Sequence, residues 1–458
     1  MNKSFFYISI IFFLNLSCDN KYKSESVFLG GQIINPSSNY LILYKNNSTI
    51  DCLLLDANNS FSKNYEKLDS GIYKIEHIPE YQSIILEPGD SIWFRVNASD
   101  FNESLVYSGN GASKNNFLMD MKLKIENENI FLSSKYSLES ESFSIIIDSL
   151  VNDKKNIWKE MDSINNLTEF SQKITMGSYV YPYAKIRERY ALLRGTFWDS
   201  LKDSMYFGYR KFLNFNDSDL AYFDPYINYV LNYLNEISLD SSNFYFANKQ
   251  LTNFNIKRLQ ILDKKIDRIQ LKNNLARAIA YEEILNFTNH AKHESFLQYY
   301  FAVNTNTNFL AEVINLHNDI AKMGKGYFLP IIKLQNYSLE TIESNLIFDG
   351  RPTVIYFWSQ TQMNHYRETL RRLEMIKLEK PKYRYIGISI QPLNNLAIQV
   401  HEIMGNDPNN QFAIANFEVA SKKWIITLLN KAIILNSNGK IVNGFGNLFD
   451  NNFIDQLN

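Results

Sequence analysis

The sequence predicts a multidomain α+β chain in three consecutive parts: an N-terminal antiparallel β-sandwich, a central helical region, and a mixed α/β sheet at the C-terminal end. Three observations carry that prediction. Short β-branched and aromatic runs, closed by Asn, Gly, Pro or Ser, fill residues 27–112; residues 113–325 are poor in Gly and Pro and carry apolar residues at helical spacing; and in residues 326–458 strand-like runs alternate with helical ones. With 458 residues, 45% hydrophobic and 14% aromatic, the chain has ample apolar material for real cores. Its formal charge of −1, from 47 basic and 48 acidic residues, gives no field that would steer nucleic acid or an anionic surface. No nucleic-acid partner is expected.

The first element is one that processing should remove. "MNKSFFYISIIFFLNLS" carries one lysine and then an apolar run from Phe5 to Leu16, the layout of a secretory signal peptide over residues 1–17. The run is shorter than the roughly 20 residues a membrane span needs. Ser17-Cys18 at its end resembles the lipobox of bacterial lipoproteins, although Asn15 stands where that family prefers leucine. The resemblance implies that Cys18 is the lipid attachment site, followed by a linker over 18–26, with the protein held on a periplasm-facing membrane of the bacterial cell envelope. Each buried acyl CH₂ contributes about 0.8 kcal/mol, so two or three chains anchor durably. The bland alternative is cleavage to a soluble exported protein with Cys18 incidental.

Cysteine arithmetic narrows the chemistry, because the chain holds two cysteines, Cys18 and Cys52. With Cys18 acylated, no internal disulfide is available to the mature protein. Cys52 lies in the strand-like "TIDCLLLDANNSF", where a buried, unreactive thiol is expected.

The β part is built from "VFLGGQII", "YLILYKN", "IDCLLLD", "GIYKIEHI", "SIILEPGDSIWFRVN" and "SLVYSG", with Pro88-Gly89-Asp90 as a turn inside the fifth. Between Phe117 and Met323 there are two prolines, Pro182 and Pro225, and three glycines. Runs such as "YINYVLNYLNEI" and "LARAIAYEEILNF" have helical periodicity, so antiparallel helices without an internal repeat are expected. The last part reads as "IIKLQN", "TVIYFW", a helix over 363–378, "YRYIGISI", a helix near "LAIQVHEIM", "KAIILNSNGKIV" and a terminal helix "NNFIDQL".

Residues 326–458 resemble the thioredoxin-like fold of the TlpA type, a family of extracytoplasmic thiol–disulfide oxidoreductases. "FDGRPTVIYFW" is similar to the family's first core strand, "YRYIGISI" to the next, and "AIILNSNGKIV" to its closing hairpin, with Asn436 in the aspartate place and Gly439-Lys440-Ile441 intact. "ILEPGDSIWF" and "VYSGNGASKNNFL" resemble segments of bacterial lipoproteins that carry such domains. The resemblance implies a Trp-Cys-x-x-Cys motif after the Phe-Trp strand, where a helix start favours the attacking thiolate. Aligned on Phe357-Trp358, this chain has Thr361 at the motif tryptophan, Gln362 at the nucleophile and His365 at the resolving cysteine. The cis-proline that the family sets opposite its dithiol falls at Asn430. A non-proline cis bond costs about 2.5–4 kcal/mol, so an ordinary trans bond is expected there.

The reading that follows is a degenerate site: a thioredoxin-like element without its redox cysteines, acting as a non-catalytic binding or structural component beside an unidentified envelope protein partner, with no cofactor, metal or catalytic residue assigned. The alternative from the enzyme class is a TlpA-type thiol–disulfide oxidoreductase working in redox homeostasis. His365 could serve as a general base or metal ligand at a helix start, but a residue that simply fills a vacated place is the expected reading. His290 and His293 form H-x-x-H without the third ligand a zinc site needs, so a solvated helix face is expected. "GNGASK" at 109–114 lacks P-loop spacing and reads as a turn. Tyr366, Leu370, Leu373 and Ile376 form a core stripe, with Arg367, Arg371, Arg372 and Lys377 facing water.

Overall fold

A computed structural model describes residues 25–193, 205–239, 251–285, 290–393, 398, 399, 403, 405 and 407–457. The signal-peptide segment, Cys18 and most of the helix expected near 396–404 lie outside the described residues.

Eight strands open the chain: β1 (Val27–Ile34), β2 (Tyr40–Lys45), β3 (Ser48–Leu54), β4 (Ser60–Tyr65), β5 (Gly71–His77), β6 (Glu80–Leu86), β7 (Ser91–Asn97) and β8 (Val106–Asn110). They form two sheets of order β4-β1-β7-β8 and β3-β2-β5-β6. Alternate residues of both sheets, among them Leu29, Phe94 and Tyr107 from the first and Leu43, Ile75 and Ile84 from the second, share one buried cluster. Asn46 and Asn47, at φ 53° and 63°, close the β2–β3 hairpin, as asparagine's tolerance of positive φ allows. Two expectations are corrected. The first sheet is mixed rather than antiparallel, since β1 runs parallel to β7 from Phe28↔Ser91 to Ile34↔Asn97. Alternating pattern specifies which side chains are buried but not strand direction, and the long path through the second sheet leaves the return free to run either way. Strand β4, "SFSKNY", was not foreseen because it buries only Phe61.

Helices α1 (Ala112–Ser133), α2 (Ser140–Asn165), α3 (Glu169–Leu193), α4 (Asp224–Ser238), α5 (Leu251–Lys265), α6 (Ile269–Leu285), α7 (His290–Val303) and α8 (Thr307–Lys322) follow. Pro225 stands in the first turn of α4, where its missing N–H costs nothing, whereas Pro182 lies inside α3. The expected turn at "GNGASK" shrinks to one residue between the end of β8 and the start of α1: Gly111, at φ 90°, caps α1, and a Cβ there would strike the Asp90 carboxylate.

The C-terminal part is a seven-stranded mixed sheet of order β10-β9-β13-β12-β11-β14-β15. Its strands are β9 (Lys333–Gln335), β10 (Thr341–Glu343), β11 (Thr353–Trp358), β12 (Arg384–Ser389), β13 (Gln411–Ile414), β14 (Lys431–Leu435) and β15 (Ile441–Asn447). Strands β11, β12 and β13 are parallel, β14 and β15 antiparallel, and α9 (Met363–Glu379) and α10 (Phe417–Trp424) accompany them. This is the thioredoxin-like arrangement that the resemblance implied. All six residues of β11 are buried, with Val354, Tyr356 and Trp358 packed in the cluster of α9 and Ile355 and Phe357 in the cluster of α10. Of the predicted stripe on α9, Tyr366, Leu373 and Ile376 are buried and Leu370 is half-buried. Arg372 departs from expectation by reaching the carbonyls of Leu448 and Asp450 at 3.2 and 3.1 Å. The predicted terminal helix is a correction too: residues 454–456 make a single 3₁₀ turn, too short a segment to propagate an α-helix.

Candidate functional site

The candidate site lies where β11 gives way to α9. Gln362 occupies the N-cap of α9 with φ −123° and ψ 59°, is exposed, and makes no side-chain cap bond; its carbonyl accepts from the Tyr366 N–H at 3.1 Å. One turn on, Tyr366 stacks on the fully buried Trp358, ring centroids 4.5 Å apart, which fixes the helix start against the strand. The half-buried His365 points the other way, across to the segment that enters β14. Its Nε2 lies 2.6 Å from Asn430 Oδ1, so Nε2–H donates to the amide oxygen. Phe449 flanks the ring at 5.7 Å between centroids. Asn430 is itself held in place, its carbonyl accepting from Leu448 N–H at 2.9 Å, and the cis bond recorded among the described residues is Ile78–Pro79, not the one before Asn430.

Three sequence-predicted positions therefore meet. Gln362, His365 and Asn430 lie at one end of the sheet, and the latter two are hydrogen-bonded to each other. The other His365 nitrogen, Nδ1, is out of contact with solvent and has no hydrogen-bond partner, so it is not placed to take a proton from a bound molecule. Beside this pair lies an open groove of about 510 Å³ bordered by Asn364, Arg367, Glu368, Arg371 and Phe449. Arg371 pairs with Glu368 along the helix, and Arg367 reaches Asn364 at 3.2 Å. The groove offers guanidinium and amide groups that suit recognition by hydrogen bonds.

A neutral polar network under the loop was missed in the sequence. Gln391 Nε2 donates to Ser359 Oγ at 2.9 Å and its Oε1 accepts from Gln360 N–H at 2.9 Å; Gln360 Nε2 donates to the Pro392 carbonyl at 2.7 Å. The signal was the polar run "SQTQ" directly after a fully buried strand, answered by "SIQP" after the neighbouring one. Every member is an amide or hydroxyl, so the network fixes the loop without a charge.

Other candidates resolve differently. Cys52 is exposed on β3 at the edge of its sheet, a correction to the burial expected; an alternating strand has two faces and sequence alone assigned the thiol to the wrong one. His293 is buried, not solvated, with the His317 ring 5.7 Å away, and the His290 side chain lies outside the described residues. No group of three or more metal-ligating side chains occurs among the described residues. Lys431, beside Asn430 in sequence, was not foreseen at all. Burial pushes its ammonium down to about 7, and its Nζ sits 4.3 Å from the Phe445 ring centroid.

No family model matches the sequence, and no curated protein matches it. Several solved structures do resemble the chain in part. The thioredoxin domain of a thiol–disulfide oxidoreductase from Bacteroides vulgatus is 18% identical, covering 30% of this chain and 99% of that one, with a TM-score of 0.24. A thiol:disulfide interchange protein from Bacteroides sp. is 19% identical over 26% of this chain and 80% of its own, TM-score 0.23. A thioredoxin-like protein from Bacteroides caccae is 12% identical, covering 57% of this chain and 90% of that chain, TM-score 0.30.

Proposed function

We propose that this protein is an exported, lipid-anchored component of the bacterial envelope in which the thioredoxin-like part binds a partner and does not exchange disulfides. One observation carries the reading. The positions aligned with the dithiol hold Gln362 and His365, and His365 is tied to Asn430 at 2.6 Å, so a side-chain hydrogen bond stands where the resemblance would set a thiolate facing a proline. Disulfide exchange proceeds through attack by a thiolate, and neither an amide nor an imidazole can form the mixed disulfide. Cys18 at the end of the apolar leader supports the anchor, and Cys52 would be left as the one thiol of the mature chain.

The test is reduction of insulin by dithiothreitol in the presence of the mature protein. The expected rate equals the buffer control. Turnover above that control that persists in Cys52→Ser would instead establish the oxidoreductase alternative. Incorporation of labelled palmitate in cells, abolished by Cys18→Ser, is the expected result for the anchor.

A further inference from the structure

Away from the thioredoxin-like sheet, a cleft of about 470 Å³ lies between the outer edge of the second β-sheet and helices α1, α3 and α4. Its walls carry Leu118, Ile125 and Phe223, all largely buried, together with Pro182 and Pro225. Tyr81, 48% exposed, stands at one side with Lys74 Nζ 4.3 Å from its ring centroid. The size is that of a ligand cleft, and these apolar groups share its lining with polar and charged ones.

Two lysines border it, Lys122 from α1 and Lys185 from α3. Lys122 donates to two neutral carbonyls, Asn102 Oδ1 at 2.9 Å and Gln82 Oε1 at 3.3 Å. Lys185 is half-buried, and burial with the nearby Arg189 charge lowers its pKa. Neither lysine forms an ion pair among the described residues, which sets them apart from Lys114, Lys154 and Lys173, each bound to two carboxylates. Three carboxylates also border the cleft: Asp224 is drawn towards Lys74 at 4.0 Å, Glu126 is exposed and Glu80 is half-buried. They would repel a polyanion far more than a ligand carrying a single negative group.

The edge strand supplies the last piece. β6 ends its sheet, and both backbone groups of Ile85 turn outwards, where the Asn115 side chain satisfies them at 2.7 and 3.0 Å. In an antiparallel ladder the outward groups recur at every second residue, so Ser83 and Tyr81 present theirs along the cleft, with the Ser83 carbonyl accepting from Gln82 Nε2 at 3.4 Å.

The geometry points to a binding site for the carboxylate end of an apolar molecule, seated between Lys122 and Lys185 with its body on Leu118 and Phe223. Two sources share that chemistry, a peptide C-terminus lying along β6 and a free fatty acid; the outward backbone of Tyr81 and Ser83 favours the peptide. The test is isothermal titration of the full-length protein without its leader, using N-acetyl-alanyl-valyl-leucine as the free acid and as the carboxamide, with decanoate and decanol as the second pair. In the unaltered protein, acid forms should bind about tenfold or more tightly than their neutral partners, and Lys122→Met and Lys185→Met should each remove that preference. Preference confined to decanoate supports the site and assigns it to lipid. Equal binding of acid and neutral probes in both pairs, absence of binding by all four, or an acid preference that survives both substitutions overturns the proposal.

Discussion

Glu87 is the residue on which several segments converge. Its carboxylate accepts from Lys114 Nζ at 2.7 Å and from the hydroxyls of Thr168 and Ser171 at 2.5 Å each, while Asp90 shares the same ammonium at 2.7 Å. Burial pushes the Glu87 carboxyl up, but the bonds from Lys114, Ser171 and Thr168 outweigh it and leave it below its usual value; for Asp90 burial wins and its pKa is raised. Replacing Lys114 by Met would strand two carboxylates in a dry site, and losing one side of a buried pair costs about 3–5 kcal/mol. The expected outcome is a clear drop in the urea midpoint of Lys114→Met, partly recovered in the double variant with Glu87→Gln. A midpoint within error of the original would show that the cluster is wetter than its burial indicates. His77 makes a pH-dependent contribution of its own. Its Nε2 accepts from Ser37 N–H at 2.9 Å, so the neutral ring carries its proton on Nδ1, 3.0 Å from the Tyr40 carbonyl. Burial, only partly offset by that carbonyl, lowers its pKa. The unfolded chain therefore takes up the proton first as pH falls, and stability is lost below about pH 6.5. Between about pH 7 and about pH 5 the melting temperature of the unaltered protein should fall more steeply than that of His77→Gln; parallel curves would count against it.

At the scale of elements, α1 acts as a clamp across both sheets of the sandwich. Two adjacent asparagines at its start replace missing strand partners: Asn115 satisfies Ile85 on edge strand β6, and Asn116 bonds both backbone groups of Tyr107 on edge strand β8 at 2.9 Å. Edge strands need such cover. Asn115→Asp keeps the size but can no longer donate to the Ile85 carbonyl, and an unsatisfied buried group costs about 1–3 kcal/mol. Faster hydrogen exchange at the Ile85 amide is expected in Asn115→Ala, with Tyr107 unchanged; uniform protection would contradict the clamp. The elements legible in the sequence were those whose pattern is strong in isolation. β11 and α9 could be located within a residue because a fully apolar run meets a clear 3.6-residue stripe. β4, β10 and β13 were invisible, being short strands whose register is set by a neighbour and not by their own composition. At the site, the occupants Gln362, His365 and Asn430 were readable, but the 2.6 Å bond joining two of them was not, because it spans 65 positions of sequence. The buried Lys431 illustrates the same limit, since lysine in a strand start ordinarily signals solvent.

On the scale of the whole molecule, the sandwich keeps a core of its own between its two sheets, but a further apolar cluster joins all three parts. That cluster contains Ile72 and Ile85 from the sandwich, Leu259, Ile279 and Val313 from the helices, and Phe357, Ile388 and Trp424 from the C-terminal part. Other contacts follow the same seams: Lys74 faces Asp224 at 4.0 Å, and Gly444 meets the Met323 carbonyl so closely that no Cβ would fit. A self-contained thioredoxin-like unit would cover both faces of its sheet with its own helices. Here the outer side of α10 is closed by α8, through residues such as Val313, Ile320 and Ala420. Expressed alone, residues 326–458 would therefore expose apolar surface that the full chain buries, and a contiguous exposed patch of that kind promotes association. The expected result is strong fluorescence from 8-anilinonaphthalene-1-sulfonate with the fragment, little with the full-length mature protein, and self-association of the fragment in sedimentation velocity. A monomeric fragment that leaves the dye dark and melts at the same temperature as the full chain would mean that the C-terminal sheet is an independent unit, and that the shared cluster adds nothing to its stability.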